Sequence, residues 1–144
     1  FVQIRGSIPI IWTQGGKGYG KPKPRVVYSP FSRYAFQRHF DLLKRHYHSK
    51  DFACVSLIDT QGGEFELGEH FESEYYLMLD DDHWQKQQCS VHYIPFDFHQ
   101  ECANNRYENL SLLLQRTSHL LENYSYYMKA GHSQEPAFSQ TGYF

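Results

Sequence analysis

Apolar and polar positions along this chain change period several times, and each change marks an expected element. Phe1 to Arg5 and Ile8 to Trp12 are β-branched and aromatic runs that predict two short strands broken at Gly6. Phe36, Phe40, Leu43 and Tyr47 recur at helical spacing. Ser29 offers a cap and Pro30 a first-turn residue, so a helix is expected from there to about His48. Phe52 to Asp59 is apolar at nearly every position, as in a central strand covered by helices on both faces, and Gln61-Gly62-Gly63 ends it. Glu64 to Leu79 predicts a surface helix interrupted near Gly68, with five Glu residues forming a solvated face. Asp80 to Asp82 is expected to be a loop, because three consecutive carboxylates cannot all face one cation. Val91, Tyr93, Ile94, Phe96 and Phe98 predict a buried strand carrying Asp97 and His99 on one face at its end. A helix from about Arg106 to Met128 follows, with Leu110, Leu113, Leu114, Thr117, Leu121, Tyr124 and Met128 as its covering stripe. A turn and a short strand close the chain.

Strand, helix, strand, helix, strand and helix in that order predict an α/β fold, a mixed β-sheet covered by helices. At 144 residues, 40% hydrophobic and 17% aromatic, the chain fits one domain able to bury a core. No stretch approaches the roughly 20 apolar residues of a membrane span. No signal-like N-terminus is present, and any membrane attachment is expected to lie outside this chain. Cys54, Cys89 and Cys102 are an odd count without paired spacing, which favours a reduced environment over a disulfide scaffold. Nine His residues are scattered without a ligand pattern, so neither a metal nor another cofactor is implied.

Charge divides the chain sharply. Residues 1–50 carry ten Lys or Arg against Asp41 alone, a charge of +9, whereas residues 51–144 carry four against fifteen acids, −11. Either the basic part attracts anions or the two parts pair with each other. Arg5, Gly6 and Ser7 place a guanidinium fork and a hydroxyl beside a glycine that lets backbone approach a ligand, a combination that suits a phosphate and equally a kinked strand. The loop from Gln14 to Arg25, with Lys21 and Lys23, could meet acidic lipid headgroups or simply be solvated. Nucleic acid is not an expected partner. Asp97 and His99 fall where ligands gather in open α/β sheets, beyond strand carboxyl ends, though an Asp-His contact can also be structural.

Four stretches together resemble the Sac-type phosphoinositide phosphatases: F-V-Q-I-R-G-S-I-P-I-I-W, then F-Q-R-H-F-D at Phe36 to Asp41, Y-I-P-F-D-F-H-Q-E-C at Tyr93 to Cys102, and N-L-S-L-L-L at Asn109 to Leu114. The resemblance covers essentially the whole chain and is strongest to the endoplasmic-reticulum and Golgi branch acting on phosphatidylinositol 4-phosphate. It implies a cysteine-based phosphatase, in which a thiolate attacks phosphorus and an Arg five residues further on binds the phosphoryl oxygens. That loop is expected beyond a strand over residues 140–144. None of the three cysteines has an Arg at that spacing, since Arg106 lies four after Cys102. Residues 1–144 are therefore expected to be part of a Sac catalytic domain, without its N-terminal lobe and its nucleophile loop, and to be inactive alone. The implied substrate site takes Arg5, Gly6, Ser7, Lys21 and Lys23, and the implied acid or positioning residues are Asp97 and His99. The implied partners are a phosphoinositide, an acidic membrane surface and the remainder of the Sac domain. Two other classes remain open on the residues alone: a lipid-binding module without catalysis, and a different hydrolase using Asp97 and His99 directly.

Overall fold

The computed structural model describes residues 3–6, 8–15 and 22–124, with the backbone of 126–127 and 138–139. Its elements are β1 (Trp12–Thr13), β2 (Arg25–Val26), α1 (Ser32–Tyr47), β3 (Asp51–Ser56), α2 (Phe65–Leu79), α3 (Asp82–Lys86), β4 (Ser90–Pro95), α4 (Phe98–Glu101), α5 (Leu110–Asn123), β5 (Tyr126–Tyr127) and β6 (Phe138–Ser139), with two 3-10 turns before α5. The α/β arrangement expected from sequence holds. Its strands form three two-stranded sheets, β1 with β2 and β5 with β6 antiparallel, β3 with β4 parallel.

A ladder of aromatic rings organises the core. Phe36 of α1 lies 5.2 Å from Phe40 and 5.1 Å from Phe71 of α2. Phe40 meets Phe52 of β3 and Trp84 of α3, and Phe71 meets Tyr93 of β4 at 5.2 Å. Such tilted and edge-on pairs add to the apolar burial that drives the packing. Phe36 and Phe40 are one turn apart on the helix, so the sequence periodicity of α1 is realised as burial.

Several local expectations change. Residues 3–6 are irregular and the second strand shrinks to Trp12–Thr13, because among the described residues it pairs with the two-residue β2 alone and Pro9 has no N–H to give. The Gln14–Arg25 stretch is not all loop, since Arg25 belongs to β2. Helix α1 starts at Ser32 rather than Ser29, whose hydroxyl instead accepts from Phe31 N at 3.2 Å. Helix α2 runs through Gly68 without interruption, and a Cβ there would meet Ile58 at an ordinary 3.6 Å. Of the five Glu residues from Glu64 to Glu74, Glu74 is buried, with Arg33 and His70 each 3.8 Å away. Asp80 and Asp81 are helix ends rather than loop: Asp80 closes α2, and Asp81 accepts from His83 N and Trp84 N, which starts α3 and seats Trp84 in the core.

Strand β3 is covered on one face only. Phe52 and Cys54 pack on the aromatic core while Ala53 and Val55 of the opposite face are exposed, because α5 bears on β4 and leaves that side of β3 open. Helix α5 ends at Asn123, five residues short of its expected end, and Tyr126–Tyr127 are strand. Its buried positions are Thr117 and Leu120, not Leu110, Leu114 and Leu121. The expected strand over 140–144 lies outside the described residues.

Leu120 is 3% exposed and Leu114 63% exposed. Leu120→Ala should therefore lower the unfolding free energy by about 2–5 kcal/mol, and Leu114→Ala should change it by less than about 0.5 kcal/mol. Urea denaturation followed by circular dichroism checks both, and the reverse order would restore the sequence-derived stripe.

Candidate functional site

The site forms where two parallel strands end. Strands β3 and β4 run in register from Asp51 opposite Ser90 to Ser56 opposite Pro95, so both chains leave the sheet at the same edge. The segment after β3 delivers Asp59 and Thr60, and the segment after β4 delivers Asp97 and His99. Asp97 and His99 do not share a strand face, which corrects the sequence expectation. The strand stops at Pro95, Asp97 caps α4 by accepting from Gln100 N at 2.9 Å, and His99 lies within that helix. Period-two logic fails here because the backbone has already turned helical.

Asp97 is held at every side. Its other oxygen accepts from both Thr60 N and Thr60 Oγ1 at 2.7 Å, so one carboxylate ties the ends of both strands together. Thr60 Oγ1 also lies 3.1 Å from Gln100 Oε1. Asp97 is 8% exposed, and burial by itself would raise its pKa. The Thr60 hydroxyl, the two backbone N–H donors and the neighbouring His99 outweigh burial, and the group titrates below its ordinary value.

His99 is oriented by Asp59, not by Asp97. Its Nδ1 donates to Asp59 Oδ1 at 2.6 Å, and that hydrogen bond, with the charge of the same carboxylate, raises the imidazole pKa. Asp97 and Glu64 add smaller upward pushes. With Nδ1 engaged, Nε2 is the nitrogen left to carry or release a proton, and the ring stands exposed. An orienting carboxylate behind an imidazole is an arrangement suited to proton transfer. Sequence reading missed Asp59, although its place just past the apolar run of β3 is the signal that would have found it.

The expected substrate-binding residues are only partly brought here. The Lys23 side chain runs over Gly63, with Cγ 3.2 Å from where a Cβ on that glycine would sit, and Gly63 adjoins Glu64 at the site's margin. Lys23 thus reaches the loop that carries Asp59 and Thr60. Arg5 and Gly6 are exposed, a Cβ on Gly6 would meet nothing within 4 Å, and Arg5 makes no hydrogen bond or ion pair to Asp97 or His99 among the described residues. Ser7 and Lys21 lie outside the described residues. Two open grooves lie elsewhere, one of about 390 Å³ along α1 and one of about 360 Å³ between β4 and α5.

Burial pushes the Cys54 thiol up to about 11, Cys89 is also raised, chiefly by burial, and Cys102 is buried. Arg106, the residue nearest to a phosphate-binding spacing, donates from Nε to the Ala103 carbonyl at 3.0 Å. Among the described residues no cluster of three or more metal-ligating side chains is present, and no helix is long and apolar enough to cross a membrane.

Comparison with known proteins gives this geometry a family. The chain is similar to the phosphoinositide phosphatase SAC7 of Arabidopsis thaliana, 34% identical over 128 residues that cover 89% of this chain and 20% of that protein. It is 32% identical over 130 residues to the phosphatidylinositol-3-phosphatase SAC1 of Saccharomyces cerevisiae, 90% of this chain and 19% of the relative. It is 31% identical over 133 residues to the phosphatidylinositol-3-phosphatase SAC1-A of Danio rerio, 89% and 20% respectively. The chain thus spans about one fifth of the length of the curated relatives it matches. The model of the SacI homology domain matches residues 1–103, a span that includes Arg5, Gly6, Lys23, Asp59, Asp97 and His99, and the chain belongs to the SacI homology domain family.

Proposed function

We propose that this chain is part of a phosphoinositide phosphatase whose substrate is phosphatidylinositol 4-phosphate and, beside it, other phosphoinositides. The observation that carries this reading is the SacI homology match across residues 1–103, together with relatives named for phosphoinositide hydrolysis. The yeast and zebrafish relatives are named for the 3-phosphate, so preference for the 4-position rests on the resemblance of the sequence stretches alone. Turnover proceeds through a phosphocysteine: a thiolate outside residues 1–144 attacks phosphorus and the inositol oxygen leaves with a proton. Water then cleaves the sulfur–phosphorus bond, returning thiol and inorganic phosphate. The protein works at the cytosolic face of endoplasmic-reticulum and Golgi membranes, held there by a segment outside this chain.

In that scheme Asp97 and His99 divide the labour. Asp97, anionic and saturated with donors, positions the β3 and β4 ends and has no proton to give. His99, held by Asp59 and raised in pKa, supplies the proton to the leaving oxygen or braces the nucleophile loop through that same contact. Arg5 binds the phosphate or orients an acidic residue of the nucleophile loop, and Lys21 and Lys23 face the lipid headgroups.

Residues 1–144 alone should release no phosphate from phosphatidylinositol 4-phosphate, whereas a protein extended past Phe144 to include a Cys-x5-Arg loop should. Release by the shorter protein that is abolished by mutating Cys54, Cys89 or Cys102 would sink the proposal. Acidic-vesicle binding without turnover in the extended protein would instead favour a non-catalytic lipid-binding module.

In the extended protein Arg5→Ala should lower turnover at least about tenfold, equivalent to roughly 1.4 kcal/mol of transition-state stabilisation. Unchanged kinetics with an unchanged melting temperature would remove Arg5 from the site.

His99 carries a pH signature. A folded-state pKa raised above its unfolded value means that the Asp59 contact stabilises the fold fully below about pH 6.5 and that this contribution is lost as pH rises through the higher folded value. The His99 ring resonances should titrate above the ordinary value and return toward it in Asp59→Asn. His99→Gln should depress turnover of lipid substrate far more than that of an activated aryl phosphate. Asp97→Asn should depress both alike, with a loss of stability of about 1 kcal/mol, because an amide keeps one acceptor oxygen and cannot serve both Thr60 and Gln100. Equal losses on both substrates for His99→Gln would make His99 a positioning residue too.

A further inference from the structure

The outward face of α1 carries a pattern that the fold does not use. Phe31 at its N-cap, Tyr34, Arg38, Leu42 and Arg45 follow one another at spacings of three and four and so fall in one stripe opposite Phe36 and Phe40. The three apolar or aromatic members are 69%, 61% and 50% exposed for Phe31, Tyr34 and Leu42. Arg38 Nη1 donates to Tyr34 OH at 3.3 Å, and neither Arg38 nor Arg45 pairs with a carboxylate among the described residues. The other cations of the helix are engaged inward. Arg33 faces the buried Glu74 at 3.8 Å, and Lys44 Nζ meets Gln87 Oε1 at 2.7 Å. The groove of about 390 Å³ runs along this stripe, with His83 of α3 on its wall and Asp41 as its lone acid.

We propose that this face of α1 is the surface by which the chain rests on an anionic lipid bilayer, an inference that builds on the membrane-lipid substrate proposed above. Phe31, Tyr34 and Leu42 enter the boundary between headgroups and acyl chains, where aromatic side chains with one polar end are at home. Arg38 and Arg45 lay their stems along that boundary and place their guanidinium groups among lipid phosphates. Charge complementarity selects this occupant: the stripe belongs to a fifty-residue segment of charge +9, and among the described residues its two cations form no ion pair with a carboxylate. A protein partner is a poorer fit. A single file of three apolar side chains falls far short of the twenty or so residues that a standard protein interface takes from each side.

Sedimentation of the chain with vesicles tests this. Vesicles of phosphatidylcholine mixed with phosphatidylserine should carry the protein down in a salt-sensitive manner, and vesicles of phosphatidylcholine alone should carry far less. Phosphatidylserine holds no inositol phosphate and the assay needs no turnover, so its outcome is independent of whether the phosphatase reading holds. Arg38→Ala with Arg45→Ala should weaken vesicle binding roughly thirtyfold, and Phe31→Ser with Leu42→Ser at least about tenfold. All four positions are exposed, so melting by circular dichroism should be unchanged. Phosphate release from a soluble aryl phosphate by the extended protein should also stay at the parent level. Wild-type binding to both vesicle types alike, no binding to either, or full binding by either double variant would overturn the proposal. So would self-association that both double variants abolish in a protein that ignores vesicles, since the face would then meet a second copy of the chain.

Discussion

The parallel pairing of β3 with β4 is the constraint on which the rest of the chain depends. Parallel neighbours cannot be joined by a tight turn, so everything between Ser56 and Ser90 must cross from one end of the sheet to the other. Helices α2 and α3 make that crossing and bring Phe71 and Trp84 over the sheet. The same constraint places both carboxyl ends at one edge, where Thr60 can reach Asp97 across 37 positions of sequence. An antiparallel pairing of these strands would have put Asp59 and His99 at opposite ends. The candidate site is thus a product of strand direction before it is a product of any side chain.

Burial is uneven, and the unevenness follows from which elements the chain supplies. Helices α1 and α2 cover the face of the sheet that carries Phe52, Cys54, Val91 and Tyr93. On the other face Arg116 of α5 stacks over Phe96 at 5.6 Å, donates to the Pro95 carbonyl at 3.0 Å and reaches Glu101 at 3.1 Å. That latch covers the end of β4 while Val55 and Leu57 stay exposed. Parallel sheets are ordinarily covered on both faces. The charge asymmetry is bridged across the core as well: among the described residues Arg33 of the basic first fifty residues lies 3.8 Å from Glu74 of the acidic remainder.

What the sequence made legible was whatever a single period controls. The spacing of Phe36 and Phe40 announced α1, the run after Asp51 announced β3, and the family resemblance of the FDFH stretch pointed to the β4 end. What it hid were the places where two periods meet or where a distant residue decides. Asp97 and His99 looked like strand neighbours because Phe96 and Phe98 continue the alternation, yet a capping carboxylate turned the chain into α4. Leu114 and Leu121 looked buried because α5 carries more leucine than one face can hold, and only the position of β4 and Arg116 selects Leu120 instead. Gly68 looked like a break because propensity speaks against it, whereas the burial of Leu67 and Phe71 on either side of it carries the helix through. Asp59 was invisible as the partner of His99 because the pairing spans 40 positions.

Two carboxylates at the same sheet edge do different work because their donors differ in number and their surroundings in depth. Asp97 is buried and meets three donors, which fixes it as an anion and fixes two loops with it. Asp59 is less buried and engages a single imidazole nitrogen, so its charge is spent on raising the basicity of His99 rather than on holding backbone. Exchanging the two roles would fail on electrostatic grounds. A carboxylate saturated by N–H and O–H donors is screened from an approaching imidazolium, and one left to a single histidine could not satisfy the Thr60 and Gln100 amides that Asp97 serves. In the proposed scheme the exposed His99, held by Asp59, is the group suited to carry a proton, while the buried Asp97 ties the ends of the two strands together.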